Sequence, residues 1–410
     1  MEGSLRLAFR NLWRNRRRST IALATIGFGV VALVLAGGFI EWIFWAMRTA
    51  TIESQLGHIQ VVKRGYFEAG AADPFAYLLP DDSPTFAELE HSPGVLFVTP
   101  RIAFTGLVSH GDLTVSFAGE GVDPIKERTV SKMVVITAGQ NLSGPDASEL
   151  IMGTGLARNL GVELGDQVVL LVNTAAGGIN AVELKLVGTF TTSTKAFDDS
   201  ALRVPIGVAH TLLRTQGAHR WVLLLDDESK VPALIDDFRQ RFTAADANTT
   251  LQFVPWQQLA DFYNKTVALF SRQMDVVKAI IGLIIVLSIS NLLVMTVMER
   301  TGEIGTLMAV GYRRRSILRL MFSEGLLLGV VGGALGTLVA VVLALGISAV
   351  GIPMPPPPGS DTGFTGEIRL TVPLVAGAFV LAVVVTALAA VYPAWKASRL
   401  EVVNALRHNR

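Results

Sequence analysis

The stretch Met298-Glu299-Arg300-Thr301-Gly302-Glu303-Ile304-Gly305-Thr306-Leu307-Met308-Ala309-Val310-Gly311 lies between two long apolar segments, and three consecutive arginines begin two residues after it. Read as a helix, it sets Ile304, Leu307 and Met308 on one face at i, i+3 and i+4 spacing, flanked by charge. Gly311 falls where such a helix would be capped. A short amphipathic helix at the end of a membrane bundle suits docking into a groove on a soluble partner. The same residues also read as a juxtamembrane helix lying on lipid headgroups.

The neighbouring segments make the membrane reading. The chain has 410 residues, 50% hydrophobic and 17% charged, which is too apolar for a single soluble domain. Residues 20–40, 279–298, 325–352 and 371–395 are uncharged and long enough to cross about 30 Å of hydrocarbon at about 1.5 Å per residue. The first is too long for a signal-peptide core and lacks a small-residue cleavage site, so it is expected to be an uncleaved anchor. Arginines before the first span (Arg6, Arg10, Arg14, Arg16, Arg17, Arg18), between the second and third (Arg300, Arg313, Arg314, Arg315, Arg319) and basic residues after the fourth (Lys396, Arg399, Arg407, Arg410) share one side, which the positive-inside rule makes cytosolic. Glu41, Trp42, Phe44 and Trp45 close the first span as an aromatic belt.

The expected order is an interfacial amphipathic helix (1–19), a first span (20–47), an extracytoplasmic domain (48–274), a second span (275–298), the amphipathic helix (299–315), a third span (316–352), a proline-rich outer loop (353–370), a fourth span (371–395) and a cytosolic tail (396–410). The fold class is therefore an α-helical bundle of four transmembrane helices with a large α+β domain inserted between helices 1 and 2. Within that domain residues 57–62, 95–100, 106–109, 113–118, 167–172 and 182–190 read as strands, and 84–91, 149–160, 205–213 and 231–242 as helices. In the bundle, Gly329-x-x-x-Gly333, Gly332-x-x-x-Gly336 and Ala32-x-x-x-Ala36 would permit close helix contact, and Ser288, Ser290 and Asn291 should bond to backbone or a neighbouring helix.

Chemistry is conspicuous by its absence. No Gly-x-x-x-x-Gly-Lys-Ser/Thr run occurs, and neither Gly27-x-Gly29 nor Gly153-x-Gly155 completes a dinucleotide fingerprint. The six histidines are scattered without metal spacing, and Asp198-Asp199 and Asp226-Asp227-Glu228 read as solvated turns. With no cysteine there is no disulfide, thiolate site or lipid attachment point. The expectation is no catalytic, cofactor or metal site, and so no enzyme. A net charge of +1 implies no global electrostatic partner, and the adjacency of the basic N-terminal segment to a membrane span argues against a nucleic-acid-binding arm. No ionisable residue sits mid-span, which argues against an ion-coupled carrier.

The run ERTGEIGTLMAVGYRRRSILRLMFSEGLLLGVVGGALG resembles the signature of the FtsX/MacB permease superfamily, usually close to ERTREIGILRAIGA, with departures at Gly302 and Thr306. Gly302 lowers helix propensity by about 1 kcal/mol, so the helix is expected to begin one turn later than in relatives. The run from Ile151 to Asp166 is similar to the superfamily's periplasmic core. Gly57-His58-Ile59-Gln60-Val61, Val187-Gly188-Thr189-Phe190 and Ala196-Phe197-Asp198-Asp199 are similar to its lipoprotein-releasing LolC/LolE group. Tyr392-Pro393-Ala394 and Asn404-Ala405-Leu406-Arg407 are similar to its terminal pattern.

The resemblance implies a permease of the bacterial inner membrane with both termini cytoplasmic and the large domain periplasmic, its inserted lobe at about 120–195. It implies two copies of an ABC ATPase, which would hold the ATP and Mg, a second permease protomer, and a periplasmic carrier or adaptor. Glu299, Arg300, Glu303, Ile304, Gly305, Leu307, Met308 and Gly311 would then form the coupling helix, with Ile304, Leu307 and Met308 as buried anchors on the ATPase. Phe28, Phe39 and Trp42 are candidates for lining a cargo cavity. The implied work is lipoprotein extraction; the alternatives are export with an adaptor, or an FtsX-like signal to a cell-wall hydrolase.

Overall fold

A computed structural model describes residues 16–70, 72–80, 83–192, 195–242, 251–355 and 364–399. The expected amphipathic segment before residue 16, most of the proline run and the Asn404–Arg407 pattern lie outside them. The described residues fall into two compact units: a helical one, up to Trp45, Thr266–Met354 and from Thr365 onward, and an α+β one built chiefly of Ala46–Lys265.

Among the described residues, four helices are long and apolar enough to span a membrane: Arg16–Leu56, Asp261–Glu299, Arg314–Val350 and Val372–Ser398. Each runs past its uncharged stretch at one end or both, because charged and aromatic turns continue the helix past the hydrocarbon. The third span carries two glycine faces. Gly325, Gly329 and Gly333 lie against Ala390, Thr386 and Phe379 of the fourth span, and Gly332 and Gly336 against Ile26, Gly27 and Val30 of the first. A Cβ on Gly336 would stand 2.8 Å from Gly27 Cα, so the backbones themselves meet there. The expected small pair on the first span is corrected: Ala36 is exposed, and Gly27, Gly37 and Gly38 make the close approaches instead.

Pro393 sits inside the fourth span and leaves the carbonyl of Ala389 without its helical donor. Ser290 of the second span donates to that carbonyl at 2.7 Å, answering a need that lipid cannot meet. Ser288 and Asn291 are exposed and have no such task.

The α+β unit is a ten-stranded sheet ordered β10-β1-β9-β2-β3-β8-β5-β7-β4, with β6 joining β2 to β7. Its strands are β1 (Ile59–Lys63), β2 (Val95–His110), β3 (Leu113–Val122), β4 (Val135–Gly139), β5 (Glu149–Gly153), β6 (Gln167–Asn173), β7 (Ile179–Thr191), β8 (Ala201–Pro205), β9 (Arg220–Leu225) and β10 (Leu251–Pro255). Through β6 the circuit β2-β3-β8-β5-β7-β6 closes into a barrel. Leu156 and Leu160 from helix Thr154–Leu160, and Val208 and Leu212 from helix Ile206–Leu213, share its core with Phe104, Leu150 and Leu186. The remaining wing, β10-β1-β9, packs its Trp221 and Phe253 with Phe238 and Phe242 of helix Val231–Phe242.

Two expectations change. Residues 120–195 form no lobe of their own, since the barrel also needs β2, most of β3, and β8. Residues 149–160 are not one helix: Glu149–Gly153 is a wholly buried strand, and the helix starts at Thr154. The glycines of Gly153-x-Gly155 serve close packing, because a Cβ on either would strike the Asp198–Asp199 turn. Asp198 itself is buried and accepts from the backbone N–H of Thr192 at 3.0 Å and from Thr191 Oγ1 at 2.8 Å, so it is a structural clamp and not a solvated turn.

Candidate functional site

The second span breaks at Arg300, and a separate helix runs Thr301–Ala309. Gly302 lies inside its first turn. The far end is a complete Schellman cap. Gly311 adopts φ +103°, its N–H reaches Met308 O at 3.1 Å, and Tyr312 N–H reaches Leu307 O at 3.0 Å.

The apolar face of this helix turns inward. Ile304 is 2% exposed and packs with Val297, Ile317, Leu320, Met321 and Ala394; Leu307 and Met308 lie partly buried against the same cluster, and Gly305 is buried. These side chains anchor the helix to the feet of the second, third and fourth spans, which corrects their expected role as anchors in a partner. The charges are also engaged. Glu299 pairs with Arg18 at the start of the first span. Arg300 binds Glu303 at 3.0 Å and the buried Glu324, inside the third span, at 3.1 Å. The exposed face is the other one: Glu303, which keeps its pair with Arg300, Thr306, Ala309, Val310 (77% exposed) and Tyr312 (47% exposed), continuing into exposed Arg313, Arg314 and Arg315. Val310 and Tyr312 lay outside the expected set; an apolar pair beside a glycine cap and a triple arginine was the available signal.

The proposed cargo residues do not assemble as one wall. Phe28 is 76% exposed on the bundle surface, whereas Trp42 is buried and stacks on Phe39 at 6.2 Å between ring centres.

A second constellation lies in the α+β unit, where the first span ends in a π-helical turn, Ile52–Leu56. Arg101 of β2 and Arg203 of β8 are almost wholly buried. Arg101 donates to Glu127 at 2.5 Å and to the carbonyl of Gln55 at 2.5 Å; Arg203 donates to the carbonyl of Ser54 at 3.1 Å and pairs with Glu120 at 3.2 Å and Glu127 at 3.3 Å. Ser131 bridges both guanidiniums, and Arg220 adds a third cation on Glu120. Burial pushes the Glu120 carboxyl up, but Arg220, Arg101 and Arg203 overcome it and hold its pKa at about 2. Three arginines face two glutamates, and the helix-end carbonyls of Ser54 and Gln55 supply the missing negative potential. Nearby, burial and then Arg220 lower His219 to about 4, leaving a neutral ring whose Nδ1 accepts from Ala103 N–H at 3.0 Å. Long separations, 46 residues from Gln55 to Arg101 and 149 from Ser54 to Arg203, hide this network from the sequence. Among the described residues no His, Asp or Glu group is arranged to hold a metal.

The FtsX-like permease C-terminal model matches residues 276–402, and the MacB-like periplasmic core domain model matches 19–241. The pyoverdine export ATP-binding/permease protein PvdT of Pseudomonas entomophila is 26% identical over 98% of this chain and 59% of its own. The macrolide export ATP-binding/permease protein MacB of Brucella abortus is 25% identical over 85% of this chain and 53% of its own. The chain thus spans between half and three fifths of the length of these two relatives. The periplasmic region of MacB from Actinobacillus actinomycetemcomitans aligns with 54% of this chain and 95% of its own, at 10% identity and a TM-score of 0.40. Two family models, one covering the first span with most of the α+β domain and the other the three later spans, place the chain in the FtsX/MacB superfamily of ABC transporter permeases.

Proposed function

We propose that this chain is the transmission subunit of an export machine: an ABC ATPase docks on the exposed face of helix Thr301–Ala309, and its ATP-driven movement is passed to the α+β domain. The observation that carries the reading is the fastening of that helix. Buried Ile304 and the Arg300–Glu324 pair join it to the spans, while Glu303, Thr306, Val310 and Tyr312 stay exposed for a partner. A push on this face therefore moves helices as bodies. At the other end of the first span, Arg101 and Arg203 grip its last carbonyls, so displacement of the span is felt by β2 and β8. Such a change is a population shift, driven by contacts that differ between ATP-bound and free states of the ATPase.

Two permease copies and two ATPases complete the unit, with the arginine-rich end cytosolic and ATP and Mg held by the ATPase. Export is supported by the names of the pyoverdine and macrolide relatives; the adaptor that would serve it is part of the proposal. Lipoprotein release is the second reading, favoured by the runs at Gly57–Val61 and Val187–Phe190. Mass spectrometry of proteins retained by the chain in mild detergent tests the choice. An ATPase with an adaptor supports export, and an ATPase with triacylated lipoprotein supports release. Absence of any ATPase overturns both.

A further inference from the structure

The helical unit holds a cleft of about 390 Å³ between the first, second and fourth spans, at the end from which the chain enters the α+β domain. Leu33, Ile40, Phe44, Leu374 and Leu381 make apolar walls, and the mouth carries Glu41, Asp275 and Lys278. From Lys278 to Glu299 the helix covers about 31 Å at its ordinary rise, the full thickness of a bilayer core. The mouth thus lies at headgroup level, and Leu33, eight residues from Glu41, lies about 12 Å deeper among acyl chains. Lys278 pairs with Asp275 at 3.1 Å. Glu41 is half-buried and, among the described residues, has no hydrogen bond or ion pair.

A carboxylate at the edge of hydrocarbon, without a counter-charge, above an apolar slot, describes half of a binding site. The complement is a positive group joined to an acyl chain. We propose that the cleft binds a phospholipid with a primary-amine headgroup, its acyl chain in the slot, its ammonium on Glu41 and its phosphate toward Lys278. A rim of two carboxylates and one ammonium favours such a zwitterion over an anionic headgroup that lacks the amine. The inference rests on the membrane reading of the spans and is independent of the ATPase.

The cleft offers its own control. A Cβ on Gly377 meets nothing within 4 Å, whereas one on Gly37 would strike Leu374 at 2.5 Å. Gly377→Phe therefore fills the slot without forcing the helices apart. The full chain is placed in nanodiscs of equal phosphatidylethanolamine and phosphatidylglycerol, extracted mildly, and its retained lipid counted by native mass spectrometry. The wild type is expected to retain the ethanolamine lipid with about a fivefold preference, the scale of one interfacial ion pair. Glu41→Gln should keep a lipid but lose the preference, and Gly377→Phe should lose the lipid. Equal retention of both headgroups by the wild type, or a preference that survives Glu41→Gln, would overturn the proposal. The isosteric Glu41→Gln decides the matter even if Gly377→Phe fails to fold.

Discussion

Replacing Val310 with Asp separates a docking face from a structural one. Val310 is 77% exposed, so the new carboxylate meets water in the isolated chain and unfolding free energy should change by less than about 0.5 kcal/mol. If an ATPase covers this face, the substitution forfeits about 1 kcal/mol of apolar burial and adds a comparable cost for desolvating the charge. Together about 2 kcal/mol is a loss of about thirtyfold in affinity. The assay is titration of the purified ATPase against the permease in nanodiscs, reading stimulated ATP hydrolysis, with thermal unfolding in parallel. Ile304→Ala is the contrast. Ile304 is 2% exposed inside its own chain, so truncation should cost about 2–5 kcal/mol of stability before any partner is added. Wild-type stimulation by Val310→Asp would refute the placement of the docking face. So would a stability loss equal to that of Ile304→Ala.

Other consequences are equally accessible. Glu324→Ala leaves Arg300 buried with only the more exposed Glu303, and should cost about 3–5 kcal/mol; partial recovery in Arg300→Glu/Glu324→Arg, read by thermal unfolding, would show that the pair itself matters. Ser290→Ala strips the donor from the carbonyl freed by Pro393 and should lower stability by about 1 kcal/mol, an effect that should vanish in a Pro393→Ala background. For His219, the folded pKa of about 4 lies below the ordinary 6.5, so the unfolded chain takes the proton first. Its contribution is full above about pH 6.5 and falls as pH drops toward 4, by about 1.4 kcal/mol per unit. His219→Gln should flatten that part of the profile. Glu120, held at about 2 from an ordinary 4.5, adds its loss only below about pH 4.5.

The spans and the short helix were legible because hydrocarbon thickness and a 3.6-residue period act on contiguous residues. The same logic caught the glycine faces of the third span, where spacing alone reports the geometry. It failed where a fact depends on remote partners. The i, i+3, i+4 face of Ile304, Leu307 and Met308 says that these residues are buried, but not whether their own chain or another buries them. Arg101 and Arg203 look like ordinary strand arginines until β2, β8 and the end of the first span converge on them. Residues 149–160 misled because a strand buried on both sides carries no alternation, so Leu150, Ile151 and Met152 merge with the helix that follows.

The central claim, that an ATPase sits on the exposed face of the Thr301–Ala309 helix, is tested most directly by a photo-crosslinking amino acid at Val310. The chain would be expressed from its native locus, irradiated in cells with and without ATP depletion, and the products sequenced by mass spectrometry. Crosslinks to a P-loop ATPase, changing in yield with ATP, are the predicted result. Crosslinks to lipid alone would contradict the account and return the helix to the membrane surface.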